Sequence, residues 1–131
     1  MAFYELRQYK VRPGQMDAWL KLMEEEIIPF QVGHGMVITG SWRGETDDSV
    51  YVWMRRFESE EHRVALYKAV YESDQWKTSI SPRVGELLDR SAIVVTRLVP
   101  TTRSVNAGTG LGGGGALSSD VTLSVAFGTS S

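Results

Sequence analysis

The sequence predicts an α+β fold: a four-stranded antiparallel sheet with two main helices, entered in the order β-α-β-β-α-β. Three observations predict it. Four segments, residues 3–11, 36–43, 50–57 and 92–99, have strand composition and period-two side-chain patterning. Two segments between them, residues 16–27 and those following Ser59, read as helices. Only the short stretch 44–49 separates the second and third strand segments, as a hairpin requires.

The first strand places Phe3, Arg7, Tyr9 and Val11 on one face, with Tyr4, Leu6 and Gln8 on the other. Pro13 and Gly14 break the strand. Met16, Trp19, Leu20, Met23 and Ile27 then recur along one helical stripe. Pro29 is expected to end that helix, since proline lacks the N–H and biases its predecessor out of the α region. Gly33, His34 and Gly35 form a loop, residues 36–43 the second strand and residues 50–57 the third. Ser59 is an N-cap for a helix through Tyr71, with Glu60 and Glu61 favouring its positive end. Residues 74–80 and 82–88 read as shorter helical turns, and the β-branched run at 92–99 as the fourth strand.

This order is the ferredoxin-like arrangement, with both helices on one face of the sheet. Its other face is also apolar. Val50, Val52 and Met54 alternate with Tyr51 and Trp53 in the third strand, and Ala92, Val94 and Leu98 with Ile93, Val95 and Val99 in the fourth. Two helices cover only one face, so a second copy packing sheet to sheet is expected, giving a homodimeric α/β barrel.

Composition divides the chain near Pro100. Residues 1–100 carry 28 of the 30 charged side chains and 12 of the 13 aromatics. Residues 101–131 hold seven of the 13 glycines, six Ser and five Thr. Residues 106–116 are a linker by composition, and residues 120–127 alternate as a lone strand does. We therefore place the folded domain at 1–104 and a Gly/Ser/Thr-rich tail at 105–131.

The absence of cysteine removes disulfides, thiol nucleophiles and Cys-ligated metals. A net charge of −2 argues against nucleic-acid partners. No apolar run is long enough for a bilayer, and no signal sequence is visible, so a soluble, cytoplasmic chain is expected. No metal site is expected: with only His34 and His62 available, the Glu58–His62 pair and the run Glu24–Glu26 read as solvated helix surface. The glycines at 108–113 follow no strand and lack a Lys-Ser/Thr ending, so they do not make a phosphate loop.

The remaining candidates are an aromatic and arginine set. Arg7 and Tyr9 share one face of the first strand; Tyr51, Trp53 and Arg55 share one face of the third. These strands are neighbours in the expected sheet, so the five side chains converge if the faces coincide. Arginine on a half-buried strand face needs a partner. Either Glu5 supplies it in a structural ion pair, or a ligand anion does in a pocket for a planar or acidic molecule. His34, between two glycines, is either an idle loop residue or a candidate acid–base group. Tyr71 and Trp76 are expected in the core or at the dimer contact.

Several stretches are similar to a known family. FYELRQY at residues 3–9 followed by Pro13 and Gly14 resembles the opening of NIPSNAP proteins. VWMRRFES at 52–59, YESDQWK at 71–77, ELLDR at 86–90 and TRLVP at 96–100 resemble later segments of that family, in order and with fitting spacing. The resemblance covers residues 3–104 and implies the dimeric α+β barrel, with no agreed activity or catalytic motif; no cofactor is expected. Related barrels include cofactor-free oxygenases, cyclases and isomerases, so the architecture permits catalysis by analogy. Some relatives are suspected scaffolds. The tail departs from the family and also suits a leader domain carrying a modified C-terminal peptide.

Overall fold

A computed structural model describes residues 1–101. The expected boundary at 104, the tail at 105–131 and its expected strand lie outside the described residues. The strands are β1 (Phe3–Val11), β2 (Val37–Arg43), β3 (Val50–Phe57) and β4 (Leu88–Leu98). They form one antiparallel sheet in the order β2-β3-β1-β4. The order follows from the connections. The hairpin joins β2 to β3, while each helical crossover skips a position and leaves β1 and β3 paired at the centre.

The first crossover is longer than expected. Helix α1 (Met16–Leu22) runs into a π-helical turn (Met23–Ile27) and on through α2 (Ile28–Gly33). Pro29 therefore does not end the helix, contrary to the sequence expectation. The Ile28 N–H reaches back five residues to the Met23 carbonyl, and Pro29 enters α2 at its first turn, where its missing N–H costs least. The chain turns at Gly35, whose φ of 102° suits glycine.

The second crossover contains α3 (Glu60–Tyr71), a π-helical turn (Gln75–Ile80) and α4 (Ser81–Leu87). Ser59 caps α3, its side chain accepting from the His62 N–H. The Nδ1 of His62 accepts the Glu58 N–H, and the Glu58 carboxylate pairs with Arg56. The His62 ring thus serves the start of the helix, while the Glu58 carboxylate pairs back to β3.

Strand β4 begins at Leu88, four residues before the expected start, because Leu88 and Asp89 pair with Val11 and Lys10. The register then shifts, and pairing resumes at Gln8 and Val94. Asp89 accepts from the N–H and hydroxyl of Ser91 inside this irregular stretch. A second shift, between Ile38 and Gly40, leaves Thr39 as the extra residue in β2.

The helices cover the face bearing Tyr51, Trp53, Arg55 and Phe57, all of them buried. One apolar cluster joins Val11, Trp19, Met23, Tyr51, Trp53 and Leu88; a second joins Phe3, Met36, Phe57, Leu66 and Val70. Phe30 and Trp76 pack against both. The opposite sheet face holds Leu6, Val52 and Met54 half-buried, and Val37, Trp42, Val94 and Leu98 exposed. No helix of the described residues is long and apolar enough to cross a membrane.

Candidate functional site

Between the sheet and the helices lies a cavity of about 230 Å³. Arg7 and Tyr9 of β1 and Trp53 of β3 line it from below. Trp19 and Met23 line it from the first crossover, and Tyr71, Trp76 and Ser81 from the second. Arg90 and Ile93 border it from the irregular start of β4. That register shift has a local purpose: the extra residues carry Arg90 and Ile93 to the cavity while the ladder continues on either side.

The sequence candidates divide on placement. Arg7, Tyr9 and Trp53 share the cavity wall, as the converging faces of β1 and β3 require. Tyr51 and Arg55 do not line it; both are enclosed beneath the helices and packed against other side chains. The Tyr51 hydroxyl pairs with Ser41 at 2.5 Å, and burial pushes its phenol up to about 12. His34 lies elsewhere, exposed at the end of α2, with its ring against Phe30 and its Nδ1 3.0 Å from the Phe30 carbonyl.

Arg55 has the internal partner. Its Nε and Nη2 donate to Glu5 Oε1 at 3.1 and 2.5 Å. Nη2 also donates to the Tyr67 hydroxyl at 3.0 Å, and Nη1 to Gln31 Oε1 at 2.8 Å and the Tyr71 hydroxyl at 2.7 Å. A guanidinium has five N–H donors, and all five are used. The second oxygen of Glu5 accepts from Tyr67. Burial alone would raise the Glu5 carboxyl, but Arg55, the Tyr67 hydroxyl and Arg7 outweigh it and hold it below its ordinary value. Burial pushes the Tyr67 phenol up to about 12, so it remains a neutral donor to that carboxylate.

Arg7 has fewer partners. Its Nε donates to the Tyr9 hydroxyl at 2.7 Å, and its Nη1 lies 3.4 Å from the Tyr67 hydroxyl and 3.6 Å from Glu5. Burial disfavours its charge, yet the surrounding tyrosine hydroxyls more than offset that and keep it firmly cationic. At the other side of the cavity Arg90 donates to the Ser81 carbonyl and hydroxyl at 2.6 and 2.9 Å.

The sequence reading did not single out Trp19, Ser81 or Arg90, and it assigned Tyr71 and Trp76 to core or dimer contacts. Trp19 was visible only as one member of an apolar stripe. Nothing local distinguishes a stripe residue that meets a void from one that meets another side chain. Among the described residues, no group of three His, Asp or Glu side chains is placed to hold a metal ion.

Comparison with known proteins agrees with this architecture. A NIPSNAP family protein from Agrobacterium tumefaciens is 27% identical, with a TM-score of 0.69 over 79% of this chain and 89% of its own. Another from the same organism, described as a NIPSNAP family protein with unknown function, is 25% identical, with a TM-score of 0.70 over 79% and 91% of the two chains. An uncharacterised NIPSNAP domain protein from Burkholderia xenovorans, 20% identical, shares the fold with a TM-score of 0.69 over 79% of this chain and 99% of its own. No curated protein matches the chain. The NIPSNAP family model matches residues 4–103, from the second residue of β1 through both crossovers and past the end of β4, and the chain belongs to the NIPSNAP family.

Proposed function

We propose that this chain is a homodimeric NIPSNAP domain that binds a small planar or acidic molecule between its sheet and its helices. The cavity carries the reading. Ligand sites are typically concave, mostly apolar clefts with a few polar groups placed among aromatic walls. A dry cavity of about 150 Å³ already accepts benzene. The cavity of about 230 Å³ is bordered by Tyr9, Trp19, Trp53, Tyr71 and Trp76, with the side chain of Arg7 still 17% exposed beside them. Flat aromatic walls favour a flat occupant, and an arginine favours an acidic one.

The dimer rests on the opposite sheet face. Leu6, Trp42, Val52, Met54, Val94 and Leu98 share it, and no element of the described residues lies over them. A second copy seated sheet to sheet removes that surface from water, at about 25 cal/mol per Å² of apolar area.

Native mass spectrometry of the purified full chain tests both parts. The expected species is twice the 14.6 kDa chain mass, and added planar carboxylic acids should bind saturably. A stable monomer would remove the dimer. Failure of every planar acid to bind would remove the ligand site.

A further inference from the structure

The polar groups around the cavity are of one kind. The Tyr71 hydroxyl accepts from Arg55 Nη1 at 2.7 Å and from Gln31 Nε2 at 3.3 Å. A phenol oxygen has two lone pairs, so what Tyr71 retains is its O–H donor. Among the described residues, no protein acceptor takes that proton. The indole N–H groups of Trp19 and Trp53 have no hydrogen-bond partner either, but both nitrogens are closed off from solvent, so these residues meet the cavity with their ring carbons. Both residues border the cavity and are 1% and 2% exposed.

Charge points the same way. Arg7, Arg55 and Glu5 form one linked cluster with one more positive charge than negative. Arg55 is fully engaged, so the surplus resides on Arg7, which borders the cavity. The other charged group at the cavity is Arg90; no carboxylate lines it. Tyr9 supplies a further hydroxyl, already accepting from Arg7.

We infer that the occupant is a planar molecule carrying a delocalised oxyanion, a phenolate or enolate, whose oxygen takes the O–H donor left free by Tyr71 and pairs with Arg7. This rests on reading the cavity as a ligand site. The aromatic rings hold the flat body, and the Tyr71 O–H and the Arg7 guanidinium select the ionised form over the protonated one, whose hydroxyl would itself need an acceptor. Binding then releases the ligand's proton to solvent, with no other bond made or broken.

The test uses 4-nitrophenol, whose phenolate is coloured and whose ordinary ionisation lies near neutrality, with 4-nitroanisole, its O-methyl ether, as the control that cannot ionise. The full chain is titrated with each, and the bound phenol is followed by its phenolate absorbance from pH 5 to 9. The expected result is a bound phenol that ionises about one pH unit lower than the free one, a tenfold preference for the anion. Arg7→Met should abolish the shift, and Arg7→Lys, which keeps the charge, should retain it. If both compounds bind equally well and the ionisation does not move, the oxyanion inference falls while the ligand site stands. If neither compound binds while planar carboxylic acids do, the oxyanion inference falls and the ligand site stands; if the carboxylic acids also fail, the site falls and the inference with it.

Discussion

Arg55 and Glu5 are register partners across the central strand pair, and the Nη2 of Arg55 lies 2.5 Å from Oε1 of Glu5. Exposure of 0% and 3% places this ion pair in the interior of the domain. Taking two charges out of water is expensive, so the pair persists only because Gln31, Tyr67 and Tyr71 complete its hydrogen bonds. Gln31 sits on α2, and Tyr67 and Tyr71 on α3. One arginine thereby ties both crossovers to the sheet, and it places the Tyr71 hydroxyl at the cavity.

Arg55→Met should be strongly destabilising. It leaves Glu5 buried without its main cation, which costs about 3–5 kcal/mol. The loss should fall near the lower figure, because Arg7 Nη1 lies 3.6 Å from the same oxygen and retains part of the attraction. Urea unfolding of the variant measures it, and adding Glu5→Leu should recover part of the loss. A loss below about 1 kcal/mol would contradict the structural role given to the pair.

Acid should expose the same interaction. The folded carboxyl of Glu5 titrates below its ordinary value of 4.5, so the unfolded chain takes up its proton first. The stability that Glu5 contributes is full above its unfolded pKa and is lost as pH falls through the lower folded value. Glu5→Gln should therefore be less stable than the natural chain at pH 7, with the gap narrowing below about pH 4. Urea midpoints compared at pH 7 and pH 3.5 check this; a gap that widens in acid reverses the sign.

The open sheet face gives a test by charge. Met54 stands opposite Leu6 on β1 and Gly40 on β2, near the middle of that face. An aspartate there is solvated in a monomer but buried without a partner in a sheet-to-sheet dimer. Met54→Asp should elute as a folded monomer of about 14.6 kDa by light scattering. Persistence of a dimer would place the subunit contact elsewhere.

Removal of residues 105–131 should leave the domain intact. Strand β4 ends at Leu98 and the family match at residue 103, so all elements among the described residues lie before the cut. The melting temperature should move by less than about 5 °C, equivalent to roughly 1 kcal/mol for a domain of this size. A larger fall would show that the removed segment stabilises the domain.

Local signals carried most of the fold. Ser59 starts α3 where an N-cap serine should, because the cap depends on a hydroxyl and a backbone N–H three residues away. The faces of β3 followed from strict alternation over eight residues. Pro29 misled for an equally physical reason. Its missing N–H stops a regular α-helix, but a π-helical turn had already changed the bonding pattern before it. The start of β4 at Leu88 was hidden by the charged and polar residues Asp89, Arg90 and Ser91, which break alternation where the strand is irregular.

The sequence by itself determined the order of elements, the two-faced apolar sheet and the five side chains on facing stretches of β1 and β3. These depend on period, capping and strand neighbourhood, which are properties of adjacent residues. Only the tertiary structure decided that Arg7 meets a cavity while Arg55 meets Glu5. Both arginines lie on helix-covered faces of central strands, and alternation cannot separate them. The difference comes from the second layer. Gln31, Tyr67 and Tyr71 descend on Arg55 from distant parts of the chain, whereas over Arg7, Tyr9 and Trp53 the two crossovers leave a space that their side chains do not fill.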